Sequence, residues 1–308
     1  MKEKITLALL TLLFKAIAIW PLRVLYVLSD LIYSLVYYVA RYRREVVRKN
    51  LENSFPEKST EEITKIEKLF YRHFCDYVME TVKLMHISDD EMHRRMRFTN
   101  PEYIEQLRSD GRPIFLYLGH QANWEYIISI TMWTSPEFTA GQIYHPLSNK
   151  AMDKLIYHMR SRFNTVGIPQ KQALRTIITM VRDGKQPLLG FIADQRPPRR
   201  PEPEWMTFLN QDTPIITGGE AMGKKLNAHF VYGSMKCVRR GYYELTFQPI
   251  HAIEGEECGY SKQYMRMLEQ DIKVQPHLYL WTHKRWKWKR EKKKEDLSPT
   301  LPVTANSK

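Results

Sequence analysis

The side chains best suited to proton transfer in this sequence are a histidine and a glutamate five positions apart, His120 and Glu125. They belong to the stretch GHQANWE, residues 119–125, which follows a short apolar run. A histidine that donates one ring N–H to a carboxylate keeps its other nitrogen basic toward a substrate hydroxyl. The pair predicts a general base for acyl transfer by direct attack of an acceptor oxygen, although a structural histidine–carboxylate pair would have the same spacing.

The elements around this pair place it where a strand gives way to a helix. Residues 113–118 (PIFLYL) predict a buried strand, and residues 124–133 predict a helix. Asn123 suits the cap of that helix, which puts Glu125 in the first turn and leaves His120 in the loop. The His120 ring can then fold back toward Glu125. Open α/β sheets place their ligand sites at such junctions.

Short apolar runs alternate with helical patterns along the rest of the chain. Further strands are predicted at 138–144, 187–193, 229–235 and 242–247, and helices at 60–85, 152–163, 176–182 and 218–226. Ser59 and Glu62 have the spacing of a capping box before the longest helix. This alternation predicts an α/β fold with a central mixed sheet flanked by helices. The composition, 43% hydrophobic and 26% charged, excludes fibrous and wholly disordered classes.

Positive charge is concentrated in two short stretches. The chain carries 47 basic and 34 acidic residues, for a formal net charge of +13. Residues 41–49 hold five basic residues against one acid, and residues 284–294 hold eight against one. Such patches favour an anionic partner surface, either a nucleic acid or an anionic membrane.

The N-terminus favours the membrane over a nucleic acid, which is not expected as a partner. Residues 5–20 and 22–40 are apolar helical segments joined at Pro21, and the second is rich in tyrosine. Neither segment reaches the roughly 20 consecutive, predominantly apolar residues that a membrane-spanning helix needs. The sequence is compatible both with helices that lie at the membrane interface and with one helix that crosses the membrane at a tilt. The basic residues 41–49 predict that the following domain lies on the cytoplasmic side.

No cofactor and no metal site are predicted. The three cysteines (Cys75, Cys237 and Cys258) are too far apart for a zinc knuckle or a disulfide framework. Residues 218–225 come close to a phosphate-binding P-loop, but Lys225 occupies the position at which that motif needs Ser or Thr. Metal-dependent and nucleotide-binding chemistry are therefore not expected.

Several short motifs occur in the order typical of one enzyme family. They are Arg48-x-Asn50-Leu51, Gly119-His120-x-x-Asn123-Trp124-Glu125, Ala193-Asp194-Gln195-Arg196-Pro197 and Trp281-x-His283-x-Arg285-Trp286-Lys287. Over nearly the whole chain, the set resembles the lipid A late acyltransferases of the lysophospholipid acyltransferase superfamily, whose signature is HxxxxE/D. The sequence departs from the family at Gln121-Ala122, often Phe-Gly there, and at Arg196, where many members have an acid. The second departure leaves the choice of donor or acceptor open.

The resemblance implies an acyltransferase that takes a fatty acyl chain from acyl carrier protein. It would esterify a hydroxyl of a lipid A precursor at the cytoplasmic face of the cell inner membrane. In the family's terms His120 is the general base and Glu125 its orienting partner. The expected partners are acyl carrier protein, the lipid A precursor and anionic inner-membrane lipids.

The reaction also needs groups that bind negative charge. Hydrogen-bond donors must stabilise the developing oxyanion, and cations must bind the phosphates of the glycolipid. Arg160 and Arg162, in the predicted helix 152–163, and Arg196, in a loop after a buried strand, are candidates. The predicted substrate-binding residues are Asn123, Arg160, Asp194, Gln195 and Arg196.

These inferences divide the chain into a membrane-associated helical anchor (1–40), a helical basic segment (41–90), an acyltransferase α/β domain (91–290) and a disordered charged tail (291–308). One alternative keeps the chemistry but uses acyl-CoA and a lysophospholipid or aminolipid. Another is a non-catalytic membrane-bound adaptor that binds acidic partners through its basic patches. Acyl chain length and the acylated hydroxyl stay open.

Overall fold

A mixed seven-stranded sheet forms the centre of the protein in a computed structural model that describes residues 2–198 and 202–290. Its strand order is β1-β9-β8-β2-β5-β3-β4. Neighbouring strands run parallel except β8 and β9, which pair antiparallel. The strands are β1 Met96–Phe98, β2 Ile114–Leu118, β3 Phe138–Tyr144, β4 Val166–Pro169, β5 Gln186–Ile192, β8 His229–Arg239 and β9 Tyr242–Pro249, while β6 Trp205–Phe208 and β7 Gln211–Pro214 form a separate hairpin.

Helices precede the sheet and lie between its strands. The α-helices are α1 Lys2–Ala18, α2 Leu22–Ser34, α3 Arg44–Ser54, α4 Thr60–Lys83, α5 Asp89–Arg95, α6 Pro101–Arg108, α7 Lys150–Arg160, α8 Ala173–Arg182, α9 Gly218–Lys225 and α10 Gly259–Val274. A π-helical turn, Leu35–Val39, extends α2, and a 3₁₀ helix, Trp124–Met132, follows β2.

Both faces of the sheet are covered, as the sequence predicted. In β2 every residue is buried, and alternate side chains enter different hydrophobic cores. Phe115 and Tyr117 pack in one core, whereas Ile114, Leu116 and Leu118 pack in the other. A strand buried on both faces needs apolar side chains at every position, which explains the unbroken run in the sequence.

The apolar N-terminal segments fold as two helices that break at Pro21. Helix α2 packs on α4 through a stripe formed by Leu22, Leu25, Ser29 and Tyr33. Its other side leaves Val27 and Leu31 more than 60% exposed. Residues Leu22–Val39 are long and apolar enough to cross a membrane by length and composition. Helix α2 with its π-helical extension thus presents an apolar surface that could serve as a membrane anchor.

Helix α4 is the longest helix among the described residues and contacts both the N-terminal helices and the loop after β2. It begins with the predicted capping box, since Ser59 accepts from the Glu62 amide and Glu62 accepts from the Ser59 amide. The buried carboxylate of Glu67 accepts hydrogen bonds from the Tyr37 hydroxyl and from Arg48. The helix therefore ties the apolar segments to the rest of the protein.

The two basic stretches, 240 residues apart in the sequence, lie side by side. The Arg43 guanidinium donates to the carbonyl of Thr282 over 3.0 Å. The Asn50 amide donates to the carbonyls of Trp281 and His283 over 2.9 and 3.1 Å. Residues 41–50 and 281–290 thus form one surface, which we call the basic surface. The tail predicted to be disordered, 291–308, lies outside the described residues.

Two sequence predictions about the elements need correction. The helix expected at 124–133 is a 3₁₀ helix, whose tighter turns leave Asn123 without a capping hydrogen bond from its side chain. The short strands β1, β4, β6 and β7 were not predicted, because three or four residues are too few to give a periodic pattern.

Candidate active site

Strand pairing brings His120 and Asp194 together. Strands β2 and β5 are parallel neighbours, and their last residues, Leu118 and Ile192, are register partners. His120 follows Leu118 by two residues, and Asp194 follows Ile192 by two residues. Because the carboxyl ends of parallel strands meet at one edge of the sheet, both side chains lie at that edge.

The contact between these two side chains is short and doubled. The His120 ring nitrogen Nδ1 lies 2.6 Å from Asp194 Oδ1, and the His120 backbone amide donates to Asp194 Oδ2 over 3.2 Å. Asp194 is fully buried, whereas the His120 side chain keeps 19% of its surface exposed. Burial acts to raise the pKa of Asp194, but the charge and hydrogen bonds of His120 outweigh it and hold that pKa below its usual range. An ionised Asp194 fixes the proton of His120 on Nδ1.

The predicted contact between Glu125 and His120 is absent, and this prediction is corrected. Glu125 instead forms a two-point ion pair with Arg160, with Nε–Oε2 and Nη2–Oε1 distances of 2.8 and 2.5 Å. The Tyr77 hydroxyl adds a longer contact of 3.4 Å to Glu125. Local spacing suggested the His120–Glu125 contact, but the carboxylate delivered by β5 already occupies Nδ1.

The other ring nitrogen of His120 faces Gln195 and the partly open side of the site. Gln195 Nε2 lies 3.3 Å from His120 Nε2, so the amide can donate to an unprotonated nitrogen. The Trp124 indole packs edge-on against the His120 ring, with 5.1 Å between ring centroids. With Nδ1 bonded to Asp194, Nε2 is the ring nitrogen available to act as a base.

The C-terminal segment holds the backbone of the His120 loop. The amide of Leu280 donates to the His120 carbonyl over 3.0 Å, and the amide of Ala122 donates to the Leu278 carbonyl over 3.0 Å. Ala122 has a left-handed backbone with φ of 54°, which an alanine adopts only when its surroundings hold it there. Residues 278–280 directly precede the sequence motif Trp281–Lys287, whose pattern did not predict that this segment contacts the loop.

A polar stripe on α4 contacts the same loop, and sequence reasoning missed it. His73, Tyr77 and Glu80 are spaced at i, i+4 and i+7, which puts them on one helix face. His73 Nε2 lies 3.1 Å from the Ala122 carbonyl, and Glu80 Oε2 accepts from the Asn123 amide over 2.6 Å. In the sequence, the sign of this stripe is three polar residues at helical spacing on an otherwise apolar face.

The candidate arginines occupy different environments. Arg160 is held by Glu125 and also lines a pocket with Tyr144 and Tyr157. Arg162 donates to the Leu84 carbonyl over 2.9 Å. The Arg196 guanidinium lies over the Trp288 ring at 4.9 Å, and no described carboxylate lies within 4 Å of it.

The closing sequence motif adds one partly buried polar group, His283, and one buried group, Arg285. Burial lowers the pKa of His283 to about 4, and this ring lies close enough to Asp194 and His120 to respond to their charges. The buried Arg285 guanidinium donates to the Pro214 carbonyl over 2.6 Å, and burial lowers its pKa. Among the described residues, no group of three or more His, Cys, Asp or Glu side chains could hold a metal ion.

A glycine next to His120 permits close packing against α10. A Cβ atom on Gly119 would lie 2.4 Å from Cδ1 of the fully buried Leu268. Gly119→Ala is therefore expected to cost about 1–3 kcal/mol in the free energy of unfolding, measured by denaturant titration. The matched control is Gly218→Ala, where a Cβ meets nothing within 4 Å. Equal stability of the two variants would contradict this packing.

The partly buried His73 predicts a dependence of stability on pH. Burial lowers its pKa to about 4, with its hydrogen bond to Ala122 acting in the opposite direction and the nearby His277 lowering the pKa further. Between about pH 4 and 6.5 the unfolded state binds more protons at this group than the folded state, so its contribution to stability rises with pH in that window.

The His73→Gln variant keeps a neutral donor at this position and removes the titration. The unfolding free energy of the wild type relative to His73→Gln is expected to rise by about 3 kcal/mol from pH 4 to 6.5. Denaturant titrations across this range measure the difference, with His251→Gln on the exposed surface as control. Parallel pH curves for wild type and His73→Gln would show that His73 titrates normally.

Together, the fold and site define an α/β protein with a histidine–aspartate centre at the carboxyl edge of its sheet and an apolar helical pair beside it. Residues 2–288 match the family of bacterial lipid A biosynthesis acyltransferases. The chain belongs to this family and is an acyltransferase rather than a non-catalytic adaptor. It is also 19% identical over 243 residues to a lipid A biosynthesis acyltransferase of Haemophilus influenzae, covering 79% of this chain and 75% of the relative.

Proposed function

We propose that this protein transfers a fatty acyl chain from acyl carrier protein to a hydroxyl of a lipid A precursor, with His120 as general base. The observation that carries the proposal is the His120–Asp194 contact of 2.6 Å at the carboxyl edge of the sheet. A buried, ionised aspartate that holds the Nδ1–H leaves Nε2 basic and stabilises the imidazolium that forms on proton transfer.

The reaction is a direct displacement without an acyl-enzyme. The acceptor hydroxyl takes the place of Gln195 beside His120 Nε2 and gives up its proton as its oxygen attacks the thioester carbonyl. The tetrahedral intermediate then collapses, the carbon–sulfur bond breaks, and the departing thiolate takes the proton back from His120. Asp194 stays ionised throughout and keeps the ring oriented.

The other predicted binding residues take separate roles in this proposal. Gln195 donates to the oxygen that gains charge, and Arg196, which has no described carboxylate partner within 4 Å, binds a phosphate of the glycolipid. Glu125 holds Arg160 at the wall of the neighbouring pocket instead of orienting His120. The buried Asn123 amide donates to Glu80 and thereby holds the loop in position.

The basic surface supports a carrier protein as acyl donor. Its cations come from two stretches that converge beside the loop bearing His120, since residue 280 bonds the loop and residue 282 bonds Arg43. A protein-borne thioester needs a broad docking surface of opposite charge, whereas acyl-CoA, although also an anion, needs cations only around one small pocket. We therefore favour an acidic carrier protein over acyl-CoA.

The apolar outer side of α1 and α2 supports attachment to the inner membrane. Large exposed side chains on it include Leu9, Leu12, Val27 and Leu31. The basic residues directly after these helices would meet anionic headgroups and keep the domain on the cytoplasmic face. This placement brings the site to the surface where a lipid acceptor lies.

The test is acyl transfer by the purified full-length protein in detergent or vesicles, with product masses read by mass spectrometry. We expect ester formation on a lipid A precursor from acyl carrier protein thioester, and much slower transfer from the matching acyl-CoA. A lysophospholipid acceptor is the control for acceptor class. Transfer only from acyl-CoA to lysophospholipid would contradict both the donor and the acceptor.

A further inference from the structure

A fully buried carboxylate on α4 joins the apolar N-terminal helices to the loop that carries His120. Glu80 has no exposed surface. Its Oε1 accepts from the Tyr26 hydroxyl of α2 over 2.8 Å, and its Oε2 accepts from the Asn123 amide over 2.6 Å and from the Tyr243 hydroxyl of β9 over 2.8 Å. Three elements distant in sequence therefore meet on one side chain.

The bond to Asn123 fixes the middle of the motif between His120 and Glu125. Asn123 is completely buried, and its amide oxygen has no hydrogen-bond partner among the described residues. Its amide nitrogen is therefore oriented by Glu80. The backbone carbonyl of Asn123 also accepts from the Tyr126 amide at the start of the 3₁₀ helix. Displacing the Asn123 side chain would therefore move the backbone that joins His120 to Glu125.

The bond to Tyr26 differs from the other links between the N-terminal helices and α4. Ser29 donates to Asp76 over 2.6 Å, and Tyr37 donates to Glu67 over 2.9 Å. Neither Asp76 nor Glu67 hydrogen-bonds the His120 loop in the structure. A direct hydrogen-bond path from α2 to that loop runs through Tyr26 and Glu80.

Burying this carboxylate is energetically costly. Burial raises the pKa of Glu80 to about 7, although its three hydrogen-bond donors act to lower it. A buried carboxylate with donors on both of its oxygens favours one geometry, and the loss of the carboxylate leaves its buried donors unpaired. An apolar side chain would have filled the same volume without this requirement.

We propose that Glu80 is a positioning residue, which sets the geometry of the His120 loop through Asn123 and makes that geometry depend on the seating of α2 through Tyr26. The inference rests on the proposed function for its effect on turnover. Its structural part, the coupling of α2 to the loop, stands on the hydrogen bonds alone.

Glu80→Gln tests the proposal with nearly unchanged volume. Glutamine offers one acceptor oxygen and an N–H₂ donor, so it cannot accept from all three partners. We expect kcat to fall by about 10- to 100-fold, with KM for the acceptor changed less than about twofold because the substrate contacts are intact. Tyr26→Phe removes only the α2 bond and is expected to lower kcat by a smaller factor.

Tyr37→Phe is the matched control, because it removes a buried tyrosine–glutamate bond between the same helical segments and α4 without reaching the loop. It should lower Tm about as much as Tyr26→Phe and leave kcat unchanged. An unchanged kcat in Glu80→Gln, or identical kcat in Tyr26→Phe and Tyr37→Phe, would overturn the proposal.

Hydrogen–deuterium exchange separates this proposal from the proposed function. In full-length protein, Glu80→Gln and Tyr26→Phe should speed amide exchange in residues 119–126, and Tyr37→Phe should not. If the wild type shows no acyl transfer but this exchange pattern holds, the proposed function fails and the positioning role stands. If transfer occurs but exchange at 119–126 is the same in all variants, the positioning role fails alone.

Discussion

Replacing His120 with alanine is expected to lower the rate of acyl transfer by roughly 10²–10⁴-fold. The variant loses the base that accepts the hydroxyl proton, while the acceptor and donor surfaces remain. The fold should persist, because the His120 side chain is partly exposed and its loop is held by backbone bonds from residues 278–280. Steady-state kinetics and thermal unfolding of the purified protein measure the two effects.

His251→Ala is the control for this prediction, because His251 is exposed in the loop between β9 and α10. Its kcat should equal that of the wild type. A His120→Ala variant that retains a quarter or more of the wild-type rate, with a normal Tm, would exclude His120 as the base.

Asp194→Asn is expected to lower kcat by about 10²–10⁴-fold through loss of the group that orients His120. The Nδ1–H and the backbone N–H of His120 bind different oxygens of Asp194, and asparagine replaces one of these oxygens with an N–H₂ donor, so it cannot match both bonds. The His120 ring then loses its fixed tautomer. Kinetics at saturating substrate test this, with circular dichroism to verify the fold.

Glu125→Gln provides the comparison. Glutamine leaves the Arg160 guanidinium without a charged partner in a mostly buried position, so we expect a loss of about 1–3 kcal/mol in stability and weaker substrate binding. If Glu125→Gln abolished turnover with an intact fold while Asp194→Asn had nearly wild-type kcat, Glu125 would be the orienting group after all.

The position of His120 could be predicted from sequence because local signals agree there. A continuous apolar run predicts a buried strand, and glycine with asparagine then marks the turn into a helix. The seven-residue GHQANWE stretch thus located the candidate base correctly at a strand end. The identity of its partner could not follow from the same signals, because Asp194 arrives through the pairing of β2 with β5.

The sequence nevertheless held a clue to that pairing. His120 stands two residues beyond the predicted strand 113–118, and Asp194 directly follows the predicted strand 187–193. This similarity becomes meaningful only if the two strands are parallel neighbours. Likewise, the spacing of His73, Tyr77 and Glu80 predicts that they share one face of a helix. The spacing does not predict which loop they contact, because tertiary packing determines that contact.

Long-range contacts explain the remaining omissions. The two basic stretches were recognised separately, but their union depends on Arg43 and Asn50 reaching carbonyls more than 200 residues away. Single carbonyl contacts leave no pattern in the sequence. The short strands could not be predicted for a related reason, since their pairing partners define them more than their composition does.

Mass spectrometry of lipid A from living cells tests the central claim most directly. The comparison is between cells lacking the gene and the same cells complemented with wild type or with His120→Ala. We predict that deletion removes one acyl chain from lipid A, that the wild-type gene restores it, and that His120→Ala does not. Unchanged lipid A after deletion, in a strain without a redundant homologue, would contradict the account.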